Sequence, residues 1–142
     1  MITRLRLFLL FTLPFLAACS DDKDEQRPYI RDVYVNQQLN LTNIQYKDLK
    51  LDRGFVYLNA GARGIIVIRQ NANRYLAFEQ TCTYQPTDTC AVVKVDDSRL
   101  FMKDKCCGSQ FDFEGAVISG PARFPLKQYQ TALSGNTLII SN

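Results

Sequence analysis

The sequence predicts an all-β domain of small antiparallel sheets, and three observations carry that expectation. From residue 29 onward the apolar residues fall in short runs rich in Val, Ile, Tyr, Phe and Leu, bounded by Gly, Asn, Asp or Ser. Such runs make strands, because branched and aromatic side chains pack well on a pleated surface. Neighbouring runs are joined by a few turn-forming residues at 71–73, 96–98, 114–115 and 134–136, the pattern of antiparallel hairpins. No long stretch repeats at the 3.6-residue period of a helix. Residues 42–49 are the one short candidate, and Ile44, Leu49 and Leu51 do not give it a consistent face.

Taken in order, the first strand is expected at residues 33–35 and the second at 55–58, followed by a turn from Asn59 to Gly64. Gly61, Ala62, Arg63 and Gly64 lead into a strand rather than a helix, so they do not form a phosphate-binding loop. Residues 65–69, Ile-Ile-Val-Ile-Arg, are the most β-branched run and pair across 71–73 with residues 74–78. Further hairpins are expected between 92–95 and 99–102, between 110–113 and 116–118, and between 128–133 and 137–140. Roughly eight to ten short strands at regular spacing argue for a small sandwich or partly closed barrel. The last one reaches almost to Asn142, so residues 29–142 read as one domain with a tied-down end.

Ahead of that domain, residues 1–18 place Arg4 and Arg6 before an apolar run from Leu7 to Ala18, the pattern of a signal peptide too short to be an ordinary spanning helix. Leu16, Ala17, Ala18 and Cys19 resemble the lipobox of bacterial lipoproteins, which implies cleavage before Cys19 and lipidation of its thiol. Residues 19–28 are charged and polar up to Pro28, as expected of a solvated tether. Acidic residues directly after the cysteine also resemble the surface-export signals of Bacteroidota lipoproteins. The expected place is therefore the cell envelope: lipid-anchored in the outer membrane, on its periplasmic side or at the cell surface, with an envelope protein as partner. The formal net charge of +3 includes Arg4 and Arg6, and the remaining Lys and Arg are scattered. That distribution argues against a nucleic-acid partner.

Chemistry concentrates at the cysteines. After Cys19 the chain holds Cys82, Cys90, Cys106 and Cys107, and an even number in an exported protein makes disulfides the default. Adjacent Cys106 and Cys107 suit a bond to each other poorly. Asp88, Asp96, Asp97, Asp104, Asp112 and Glu114 show no paired-carboxylate spacing, so no catalytic group is expected.

Two segments carry more specific information: Cys82-Thr83-Tyr84 with Cys90, and the run CCGSQFDFEGAVISGPARFPL from Cys106 to Leu126. Together they resemble the Rieske [2Fe-2S] domain. In that family two strand-flanked loops offer Cys-x-His and Cys-x-x-His pairs to one cluster, and a further cysteine from each loop forms a bridging disulfide. The resemblance runs from about Arg31 to the C-terminus and implies a Rieske-like fold. By its alignment, Cys82 keeps the first ligand position, Tyr84 stands at the first histidine, Asp104 at the second cysteine ligand and Cys107 at the second histidine. The chain contains no histidine, which excludes the usual two-histidine centre.

The resemblance thus implies an inherited Cys90–Cys106 disulfide, with a second, Cys82–Cys107, across the vacated cluster pocket. Two such bridges would each contribute on the order of 3 kcal/mol. The resulting expectation is a degenerate Rieske-like lipoprotein without cofactor or metal, serving as a disulfide-stabilised binding, structural or accessory protein. One alternative is electron transfer through an atypical [2Fe-2S] cluster on Cys82, Cys90, Cys106 and Cys107, or on Cys82, Cys107, Asp104 and Tyr84. The other is thiol–disulfide redox activity at Cys82 and Cys107. Zinc is disfavoured by the cysteine spacing. Ser109 resembles the family serine that tunes the cluster; without one it would hydrogen-bond the loop backbone.

Overall fold

The computed structural model describes residues 27–142. The expected signal peptide, the lipidated Cys19 and most of the tether lie outside the described residues. The chain forms β1 (Asn36–Asn40), a 3-10 helix (Ile44–Lys50), β2 (Phe55–Leu58), β3 (Ile65–Asn71), β4 (Arg74–Glu79), β5 (Val93–Val95), β6 (Met102–Asp104), β7 (Gln110–Phe111), β8 (Val117–Ser119), β9 (Gln128–Ser134) and β10 (Thr137–Ser141). A six-stranded sheet has the order β1-β10-β9-β4-β3-β2, and a four-stranded sheet the order β5-β6-β7-β8. All pairings are antiparallel.

The β-branched run explains the layering. Successive strand residues point to opposite faces, and on β3 both faces are buried. Ile66 and Ile68 join Phe78, Met102 and Phe111 in a core between the large and small sheets, while Ile65 and Val67 join Leu39, Tyr75 and Ile140 in a second core on the other side. A strand covered on both faces needs a continuous apolar run rather than an alternating one. The small sheet with its connecting loops thus stands on one side of the large sheet and carries the cysteines.

Three elements differ from the sequence expectation. The first strand lies at Asn36–Asn40, not at 33–35, because its hydrogen-bonding partner is the C-terminal β10, with Asn36 opposite Ser141. Only Leu39 of that strand is buried, so its apolar pattern announces little. Residues 42–49 do turn helically, as the 3-10 helix, which buries only Leu49. The strand expected at 99–102 begins at Met102 instead. The turn before it is longer: the Asp96 amide bonds the Phe101 carbonyl at 2.9 Å, and Arg99 takes a left-handed φ of 58°. That displacement puts Asp104 in the ladder, opposite Val93.

Among the described residues no helix is long and apolar enough to cross a membrane.

Candidate metal centre

The site is assembled by two loops at one end of the small sheet. The chain leaves β4 through an isolated bridge between Thr81 and Val92. The Cys82 amide then donates to the Ala91 carbonyl at 3.1 Å, so residues 82–91 form a loop pinched at its base. Arg63, from the turn between β2 and β3, clamps that loop from outside by donating to the carbonyls of Pro86, Asp88 and Thr89.

The second loop runs from β6 to β7. Amide bonds from Asp104 to the Ser109 carbonyl and from Gly108 to the Asp104 carbonyl, both 2.9 Å, curl it tightly. Gly108 supplies the φ of +81° that the turn needs. A third segment, after β8, packs against both loops: Thr83 Oγ1 donates to the Phe124 carbonyl at 2.6 Å, and the Ala122 amide donates to Ser109 Oγ at 3.0 Å. Cys90 and Cys106 are joined by a disulfide that links the two loops on the exposed side.

Beneath that bridge lie Cys82, fully buried, and Cys107, half-buried. The two loops do bring them together, with Sγ atoms 3.8 Å apart, but both are free thiols. The expected Cys82–Cys107 bridge is therefore not formed here, since a disulfide needs about 2.05 Å. The physical reason lies in what the Cys107 thiol meets: Asp104 Oδ2 at 3.2 Å and Ser109 Oγ at 3.1 Å. Asp104 is itself wholly buried, its Oδ1 accepting the Cys106 amide at 2.7 Å.

Each sulfur also accepts a backbone amide from two residues on, Tyr84 to Cys82 and Ser109 to Cys107, both at 3.5 Å. Burial pushes the Cys82 thiol up from its ordinary range; the Tyr84 amide opposes this, and the nearby Asp104 and Cys107 add to it. One ligand atom from each of Cys82, Asp104 and Cys107 lies within 4.8 Å of the others.

The remaining expected site residues take other roles around this convergence. Cys90 and Cys106 are consumed in their disulfide. Tyr84 is half-buried against the inter-sheet core. Ser109 is fully buried and bonds the Ala122 amide as well as Cys107, so it serves both the backbone and the sulfur. Sequence reasoning missed Arg63, which looked like one turn residue among others. It also missed Glu79, whose buried carboxylate accepts the Ala62 and Arg63 amides at 2.7 and 2.9 Å and the Tyr129 hydroxyl at 2.7 Å. No local signal marks Glu79, because those donors are distant in sequence and only Thr81, which donates its amide and hydroxyl to Oε1, is close.

Two disulfide-linked loops projecting from a small antiparallel sheet, itself stacked on a larger one, define a Rieske-like domain, and the comparisons with known proteins agree. Over 77 residues the chain is 32% identical to the cytochrome b6-f complex iron-sulfur subunit of Chlorobaculum thiosulfatiphilum, a match covering 54% of this chain and 40% of that relative's length. Its fold is similar to that of the plasma membrane Rieske protein PetC3 from the cyanobacterium Synechocystis PCC 6803. That match has a TM-score of 0.55 and 26% identity, covering 78% of this chain and all of that one. No family model matches the chain.

The expectation of a domain without cofactor or metal is corrected by these findings. The matched relative is named an iron-sulfur subunit, and at the loop tip of this chain three metal-competent donors converge instead of being closed off by a second bridge. The donor set still does not fit the histidine-ligated cluster of the family, since the chain has no histidine. Two thiols and a buried carboxylate are suited to a thiophilic metal, with the carboxylate supplying the harder ligand.

Proposed function

We propose that the protein is a lipid-anchored, Rieske-like iron protein of the bacterial envelope, in which a cysteine–aspartate centre replaces the histidine-ligated cluster and passes single electrons to an envelope partner. The observation that carries this reading is the convergence of Cys82, Asp104 and Cys107 within 4.8 Å at the loop tip. A buried carboxylate is costly unless a positive partner compensates it, and a bound metal supplies that charge. The name of the relative, an iron-sulfur subunit, supports iron as the metal. Attachment rests on the Leu16–Cys19 pattern, with the charged stretch after it as the tether.

The test is to purify the full-length protein from membranes in detergent without reductant or chelator, and to measure iron, visible absorbance and a one-electron potentiometric titration. Stoichiometric iron with a reversible one-electron wave is the expected result. A protein free of iron and silent in the titration would sink the electron-transfer reading. Cys19→Ser is expected to move the protein out of the membrane fraction and to abolish fatty-acid labelling; retention on the membrane would count against the anchor.

A further inference from the structure

Resting on the metal-centre reading above, we infer that the loop tip binds a single thiophilic metal ion through Cys82, Cys107 and Asp104, rather than a two-iron cluster. Four independent features of the site point the same way.

The first is the sulfur spacing. Two thiolates about 2.3 Å from one tetrahedral ion stand about 3.8 Å apart, and the Sγ atoms of Cys82 and Cys107 are 3.8 Å apart. They already span one edge of a single-ion tetrahedron. Asp104 Oδ2, 3.2 Å from Cys107 Sγ, lies at the distance of a neighbouring corner.

The second is the ligand count. A [2Fe-2S] cluster draws four protein ligands. Among the described residues three donors of the usual kinds converge here, and Cys90 and Cys106, the nearest further cysteines, are held in their disulfide. Three protein ligands with one position left for solvent is a familiar arrangement for a single ion, and half-buried Cys107 leaves the site open to water.

The third is the amide pattern. Both sulfurs accept a backbone N–H from the second residue after the cysteine. Those bonds orient each sulfur without occupying it. The fourth is pre-organisation. The Cys90–Cys106 disulfide, the Arg63 clamp and the Ser109–Ala122 bond hold the two loops in place before any ion arrives, so little ordering entropy is lost on binding.

On binding, the Cys82 and Cys107 thiols each release a proton to solvent. Two metal–sulfur bonds and one metal–oxygen bond to Asp104 form, and no oxidation state changes.

The experiment is a Co²⁺ titration of the chelator-treated full-length protein in detergent under anaerobic conditions, followed through thiolate-to-cobalt charge-transfer absorbance. Acid-labile sulfide and iron are measured on the protein as isolated. A break at one cobalt per chain is expected, with no labile sulfide. Asp104→Asn, which keeps the shape and an acceptor for the Cys106 amide, should bind Co²⁺ at least about tenfold more weakly. Cys107→Ser should lose about half of the charge-transfer intensity, one of two thiolates having gone; circular dichroism confirms that both variants are folded.

Two irons with two labile sulfides per chain would overturn the single-ion inference and leave the metal-centre reading standing. No iron as isolated and no cobalt band would overturn both. A band indifferent to both substitutions in folded protein would place the metal elsewhere and overturn the inference.

Discussion

At the residue scale, one glycine of the second loop and one just after β8 separate two kinds of constraint that look identical in sequence. Gly108 and Gly120 both adopt positive φ, +81° and +94°. A Cβ at Gly108 would meet nothing within 4 Å, whereas one at Gly120 would sit 2.5 Å from Ser109 Cα and 2.9 Å from its amide nitrogen. Gly108→Ala should therefore cost only the left-handed strain, about 1–2 kcal/mol. Gly120→Ala adds a collision with backbone at the residue that supports Cys107, so it should lower the thermal midpoint clearly more. Calorimetry on the two variants checks the order, and equal losses would mean that the β8 turn relaxes freely away from Ser109.

At the scale of elements, the site depends on two loops that have little regular structure of their own. Their order comes from cross-links between elements: the Cys90–Cys106 disulfide, separated by 16 residues in sequence, and the Arg63 clamp on the carbonyls of Pro86, Asp88 and Thr89. Replacing both disulfide cysteines with alanine should cost about 3 kcal/mol, mostly through the greater freedom of the unfolded chain, and chemical denaturation measures it. Arg63→Lys keeps the charge but loses the planar fork that reaches several acceptors together. Proteolytic nicking within residues 85–89 should then accelerate with little change in global stability. A large loss of stability instead would show that Arg63 supports the turn near Glu79 more than the loop.

At the scale of the whole molecule, the two cores share β3 and β4, and at the second core the buried Tyr129 hydroxyl donates to the Glu79 carboxylate at 2.7 Å. Burial, together with the neighbouring Glu79 and Asp32, raises the Tyr129 ionisation above its ordinary value, and burial raises that of Tyr57 against an opposing bond from the Val95 amide. A phenol whose folded value is raised favours the fold fully below about pH 10, where the unfolded chain keeps its proton. That contribution falls as pH climbs past 10, because the unfolded chain releases the proton first. Tyr129→Phe should thus cost about 1–3 kcal/mol near neutrality by leaving Glu79 one donor short. It should also flatten the alkaline decline relative to the parent. Urea midpoints of the two proteins between pH 8 and 11 test this, the Cys82 contribution being common to both; parallel curves would refute the assignment to Tyr129.

Residues 65–78, the hairpin at 128–140 and the all-β class were legible in the chain because their information is local: branched residues, period-two faces and turn formers lie next to one another. The cysteine loops were legible through the motif that runs from Cys106 to Leu126, which also placed Cys82 beside Cys107. The pairing of Asn36 with Ser141, the start of β6 at Met102 and the Glu79 network were not, since each depends on partners distant in sequence or on a turn whose length local residues do not specify. Whether Cys82 and Cys107 are a bridge or a pair of donors was likewise beyond composition and spacing. It depends on a separation of 3.8 Å, and on a buried Asp104 that the ladder opposite Val93 carries to the Cys107 thiol. Local patterning dictates which strands form; only the packing of two sheets brings two thiols and a carboxylate to one point.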